Sequence, residues 1–101
     1  MTLTKVTKET FKEEVINSEK AVLIDFYADW CGPCKMLSPV IEQIAKERDD
    51  IKVVKIDVDK ETDLARQFGI MSIPTVMVIK DGKVKNTSLG FKSKEAILAL
   101  L

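Results

Sequence analysis

Residues 21–28, AVLIDFYA, constrain the fold more than any other stretch of the chain. A strand with one wet face alternates polar and apolar residues, and this run does not alternate. It reads as a strand covered on both faces, the arrangement of a sheet with helices on either side. Asp25 is the one charged residue in the run. With no polar face to turn to, it is expected to be buried, and burial raises a carboxyl pKa by disfavouring the charged form. The competing reading, an aspartate turned to water on a half-exposed strand, fits this pattern less well.

The flanking segments supply the cover. KETFKEEVIN places Phe11, Val15 and Ile16 at helical spacing, with Thr7 able to cap the helix. CKMLSPVIEQIAKERDD reads as a long helix burying Met36, Leu37, Val40, Ile41, Ile44 and Ala45, with a kink expected at Pro39. IKVVKIDVD is a second strand, and KETDLARQFG a short helix stopped by Gly69. TVMVIK and KVKNTSL flank Asp81-Gly82, a strong hairpin signal. KSKEAILALL is a last amphipathic helix, whose leucines should fold onto the sheet. Strands alternating with helices give an α/β class with parallel pairing, and the hairpin adds antiparallel strands. At 101 residues, without linker or repeat, residues 1–101 are expected to form one domain around one core.

Charge excludes more than it selects. Sixteen basic and 16 acidic side chains cancel, so nothing argues for a nucleic-acid or membrane surface. MTLTKVTKETFKEE has no apolar stretch of signal-peptide length, and the apolar runs fall far short of a membrane span. The expected location is the cytoplasm, where thiols are kept reduced.

Both cysteines lie in DWCGPCK, residues 29–35. Three uses compete: a structural crosslink, a metal site or a redox pair. A reducing compartment and a very small loop disfavour the crosslink. The chain has no histidine, so one C-x-x-C would need two further ligands from carboxylates or a second chain to hold zinc, and no metal is expected. The redox reading draws on position. Cys31 follows a buried strand and Cys34 begins a helix, where partial positive charge and free N–H groups favour a thiolate. Gly32 permits a tight turn, and Pro33 has a φ suited to a helix start. Cys31, in an exposed turn, is expected to attack, and Cys34, shielded by the helix, to act second.

WCGPCK, the preceding VLIDFYADW, SIPT and DGKV…LGF, in this order and spacing, resemble the thioredoxin family over nearly the whole chain. C-x-x-C alone is weak. C-G-P-C with Trp30 before it, Asp25 upstream and Ile73-Pro74-Thr75 downstream is highly specific. The resemblance implies a thioredoxin fold, a central mixed five-stranded sheet flanked by four α-helices. It implies a general protein dithiol–disulfide oxidoreductase working through mixed disulfides. Its partners would be disulfide-containing proteins and an NADPH-dependent thioredoxin reductase. The chain would be a monomer with no cofactor beyond a redox-active Cys31–Cys34 disulfide.

Residue by residue, the resemblance makes Asp25 a proton acceptor for Cys34 and Lys55 its neighbour. By residue type alone Pro74 reads as trans; the resemblance makes it cis, packed on the disulfide and holding the Ile73 backbone outward for an extended substrate. Trp30, Gly32, Pro33, Met71, Ile73, Gly90 and Phe91 would form an apolar docking rim, although Met71 and Phe91 read equally well as core. Tyr27, Ser72 and Phe91 depart from common family residues, which bears on partner preference and not on the chemistry. The competing functional class is a binding module whose rim holds a partner independently of the thiols.

Overall fold

In the computed structural model, which describes residues 3–101, the apolar run is the central strand of a five-stranded sheet. The strands are β1 (Leu3–Lys5), β2 (Ala21–Tyr27), β3 (Ile51–Asp57), β4 (Thr75–Lys80) and β5 (Lys83–Leu89), in spatial order β1-β3-β2-β4-β5. β3 pairs parallel with both β1 and β2. β4 runs antiparallel to β2, and β5 antiparallel to β4. Four helical segments complete the fold: a π-helical turn, Lys12–Ile16, and the α-helices α1 (Gly32–Glu47), α2 (Thr62–Gln67) and α3 (Lys94–Leu98). This is the mixed five-stranded thioredoxin fold expected from the sequence.

The alternation of strand side chains divides the core in two. On one face Val22, Ile24 and Phe26 pack with Val54 and Ile56 beneath Phe11, Val15 and Leu64. On the other, Leu23, Val53, Val76 and Val78 meet Leu37, Ile41, Ile44 and Ala45 of α1 and Ile97 of α3. Leu98, Leu100 and Leu101 lie against this second cluster, as expected of the C-terminal leucines. At the β4–β5 turn Asp81 and Gly82 have φ of 54° and 75°. Positive φ at both central residues matches the twist of a two-residue hairpin.

Several boundaries differ from the sequence reading. Thr7 caps no helix: its N–H bonds the Thr10 hydroxyl at 3.0 Å, and Lys8 N–H reaches Glu61 Oε1 at 2.8 Å. These bonds hold residues 7–10 in a turn, so the first helix contracts to five residues. β1 is three residues long and has no sequence signature of its own. α1 starts at Gly32, two residues before the expected start, and runs unbroken through Pro39, which lies on its exposed side. Met36 is 63% exposed and not in the core. Leu37, Ile41, Ile44 and Ala45 already form the stripe at i, i+4, i+7 and i+8, and Met36 falls a hundred or so degrees off it.

Two neighbours on α1 therefore make opposite predictions. Leu37 is fully buried, so Leu37→Ala should cost about 3 kcal/mol and lower the urea midpoint. Met36→Ala should stay within about 0.5 kcal/mol of wild type. Equal losses in chemical denaturation would contradict the assignment of the buried stripe.

Candidate active site

β2 delivers the chain to one end of the sheet, and the cysteine pair sits where it turns into α1. Cys31 is the N-cap, with extended backbone at φ −91° and ψ 115°. Its Sγ accepts the Cys34 N–H at 3.2 Å, the role a serine or aspartate oxygen plays at most N-caps. Gly32 and Pro33 are the first two helical residues, where a missing proline N–H costs nothing. Cys34 is thus the third residue of the helix and not its first. The two cysteines form a disulfide, with Cα atoms 5.2 Å apart.

Exposure does not separate the two sulfurs as expected. Cys31 is 4% exposed and Cys34 3%, so Cys31 does not stand out in an exposed turn. Tyr27, Ala28 and Ile73 pack around the pair, and the exposed residues are the spacers, Gly32 and Pro33. What distinguishes the sulfurs is electrostatic. Only Cys31 receives the helix's free N–H and sits at its positive end, which favours a thiolate there once the bond is reduced.

The opposite wall is the segment entering β4. The Ile73–Pro74 bond is cis, and Pro74 is buried. Ile73 O lies 3.8 Å from Cys31 Sγ. Thr75 Oγ1 donates to Ser72 O at 2.6 Å, and Gly90 N–H to Pro74 O at 2.8 Å, which fixes the segment from both sides. Among the described residues, neither the N–H nor the C=O of Ile73 has a backbone partner. Trp30 is 70% exposed, Met71 97% and Phe91 43%, so the last two belong to the surface and not to the core.

Asp25, Tyr27 and Lys55 lie deeper, on the α1 face of the sheet. Asp25 and Lys55 are register partners across β2 and β3. Asp25 is 1% exposed, and among the described residues neither carboxyl oxygen has a hydrogen-bond partner. Burial pushes its pKa from 3.8 up to about 6, against a smaller downward pull from Lys55. The Lys55 Nζ sits 4.4 Å from the centre of the Tyr27 ring and 3.4 Å from Ser38 Oγ. Burial also raises the Tyr27 hydroxyl pKa, helped by Asp57, Asp29 and Asp25. A pocket of about 190 Å³ joins Tyr27, Ser38 and Lys55 to Cys34. Among the described residues, no three His, Cys, Asp or Glu side chains are grouped to hold a metal ion.

The fold therefore gathers Cys31, Cys34, Trp30, Gly32, Pro33, Ile73, Pro74 and Gly90 at one end of the sheet, with Asp25 and Lys55 inside it. Sequence reasoning missed Asp59, whose Oδ2 accepts the Trp30 indole N–H at 2.6 Å. Asp57 Oδ1 in turn accepts the Asp59 and Lys60 N–H groups at 2.9 and 3.3 Å. An aspartate at a strand end signals such a turn, but nothing in the sequence ties it to an indole 29 residues away.

Comparison with known proteins agrees with this geometry. A family model described as Thioredoxin matches residues 2–101. Thioredoxin of Bacillus subtilis (strain 168) is 51% identical over 102 residues, covering 100% of this chain and 96% of the relative. Thioredoxin of Rickettsia felis is 46% identical, covering 92% and 90%. Thioredoxin of Mycobacterium tuberculosis (strain CDC 1551 / Oshkosh) is 50% identical, covering 93% and 82%.

The burial of Asp25 and the place of Trp30 beside Cys31 each give a prediction. The Asp25 pKa is higher folded than unfolded, so folding is favoured most below pH ~4, and this contribution is lost as pH rises through about 6. Asp25→Asn should accordingly be more stable than wild type at pH 8, by up to ~3 kcal/mol, with the gain vanishing towards pH 4. A variant no more stable at pH 8 would remove the buried charge as the cause. Trp30, the only tryptophan, is next to Cys31, so its emission should differ between disulfide and dithiol forms. Identical spectra from verified samples would separate the indole from the pair.

Proposed function

Because the chain belongs to the thioredoxin family and is a protein dithiol–disulfide oxidoreductase, we propose that Cys31 is its nucleophile and Cys34 its resolving thiol. The observation that carries this is the Cys34 N–H donated to Cys31 Sγ at the start of α1. That contact and the helix dipole favour negative charge on Cys31 over Cys34.

The cycle has two exchanges. The Cys31 thiolate attacks one sulfur of a substrate disulfide, forming a mixed disulfide and releasing the other sulfur as thiolate. Cys34 gives up its proton to the Asp25 carboxylate and attacks Cys31 Sγ. The Cys31–Cys34 disulfide forms and the second substrate sulfur also leaves as a thiolate; the two substrate thiolates take up the proton Asp25 gives back and one from water, which yields the dithiol. A group with pKa about 6 is ionised at neutral pH yet basic enough to take a thiol proton in passing. Lys55, on the same face, partly offsets the charge of the Asp25 carboxylate before it takes the proton. Holding both thiols on one helical turn makes the second attack intramolecular.

The substrate lies as an extended strand against Ile73, whose N–H and C=O have no backbone partner among the described residues and supply backbone hydrogen bonds with little demand on sequence. Trp30, Gly32, Pro33, Pro74 and Gly90 form the apolar contact around it. Two electrons and two protons from a thioredoxin reductase restore the dithiol. The chain acts as a single monomeric domain in the cytoplasm, with the cysteine pair as its electron carrier and no further cofactor.

Cys34→Ser should attack but not resolve, and so accumulate dithiothreitol-sensitive mixed disulfides on a non-reducing gel of a cell extract. Cys31→Ser should trap far less. Equal trapping, or more through Cys34, would reverse the two roles.

A further inference from the structure

Lys55 stands across the sheet from Asp25 and does not hydrogen-bond to it. The two are register partners on β3 and β2, and neighbouring strands lie ~4.8 Å apart, within reach of a lysine stem. Asp25 is buried, and among the described residues neither of its oxygens has a hydrogen-bond partner. An ammonium facing such a carboxylate in the interior should close on it. Instead the Lys55 Nζ lies 4.4 Å from the centre of the Tyr27 ring and 3.4 Å from Ser38 Oγ. Ser38 is half-buried on α1, one turn beyond Cys34, and both line the pocket of about 190 Å³ that also reaches Tyr27 and Lys55.

We propose that Ser38 and the Tyr27 ring are positioning residues, a bracket that holds the Lys55 ammonium off Asp25 and leaves this acid without an ion-pair partner. The inference rests on the proton-accepting role given to Asp25 above. A closely paired Asp25 would be a poor base, because the lysine would stabilise its carboxylate and weaken its hold on the Cys34 proton. Held at the bracket, Lys55 lowers the Asp25 pKa by less than burial raises it, which leaves it at about 6. A ring face and a hydroxyl suit this task, since both attract an ammonium without neutralising it. The other charges nearby do not take its place. Asp29 and Asp57 act on the Tyr27 hydroxyl. Lys5 is the β1 register partner of Lys55, and Lys35 lines the pocket from α1. β4 sets the uncharged Val76 against Asp25. Lys55 is the one charge that acts on Asp25.

The test reads Asp25 directly, by carboxyl-carbon NMR of the labelled disulfide form, in which neither cysteine titrates; Asp25→Asn assigns the signal. Ser38→Ala, a favourable change within a helix, should release Lys55 towards the carboxylate, so that Asp25 titrates about one pH unit lower. Ser38→Thr keeps the hydroxyl and should titrate as wild type does. Tyr27→Leu should lower the titration like Ser38→Ala, and Tyr27→Phe, which keeps the ring, should not. In a Lys55→Met background Ser38→Ala should change nothing, because the charge it frees is absent. An unmoved or higher titration in Ser38→Ala or Tyr27→Leu, or the same drop with Lys55 absent, overturns the bracket. Stopped-flow absorbance separates this from the reading beneath it. Mixed with dithiobis-nitrobenzoate, the dithiol form releases one nitrothiobenzoate when Cys31 attacks and a second when Cys34 resolves. In Ser38→Ala the second release should slow about threefold at neutral pH, as expected of a weaker base. If Asp25 titrates lower and the second release keeps its rate, the bracket stands and Asp25 loses its role as proton acceptor.

Discussion

The burial of β2 on both faces is the constraint on which the other features rest. A strand with no wet side needs a helical layer above and below, which is why the sheet lies between α1 and α3 on one face and the π-turn and α2 on the other. It also needs hydrogen-bonded neighbours on both edges, and β3 and β4 provide them. Two consequences reach the active site. The strand carries Asp25 into the core, and its far end starts α1 with a cysteine as its cap.

The same end of the molecule thus treats two negative charges in opposite ways. A thiolate on Cys31 meets a donated N–H and a helix N-terminus. A carboxylate on Asp25 meets neither, and only Lys55 across the sheet partly offsets its burial. One group is held ready to be charged, and the other is held near the point where it exchanges protons at neutral pH. The division requires no histidine, and the chain has none. Burial without a hydrogen-bond partner among the described residues disfavours the Asp25 carboxylate, a cost that an aspartate with a purely structural role would not explain.

Around the sulfurs the surface is apolar and fixed by polar contacts at its margins. Asp59 holds the Trp30 indole, Gly90 holds Pro74, and Thr75 holds Ser72. Between them the Ile73 N–H and C=O have no backbone partner among the described residues. Rigid walls with free main-chain groups suit recognition of polypeptide backbone, whose geometry is common to all sequences. Beyond the wall, Met71 and Leu89 stand exposed.

The sequence by itself determined the elements whose signal is local. The unbroken apolar run gave β2, positive-φ residue types gave the Asp81-Gly82 turn, and the spacing of Leu37, Ile41 and Ile44 gave the buried face of α1. It also determined Asp25 as a buried acid, because a run without alternation offers no way out to water. The tertiary structure decided what depends on distant neighbours. β1 exists because β3 offers an edge, and the first helix is short because Lys8 is tied to Glu61, 53 residues away. Cys31 is buried because Ile73 and its neighbours close over it, although its own turn reads as exposed. The partnership of Trp30 with Asp59 likewise appears only once two loops meet. Local pattern fixes which residues can turn inward; whether a given turn, cap or thiol is covered is decided by the chain that packs against it, and a linear sequence does not encode that position by position.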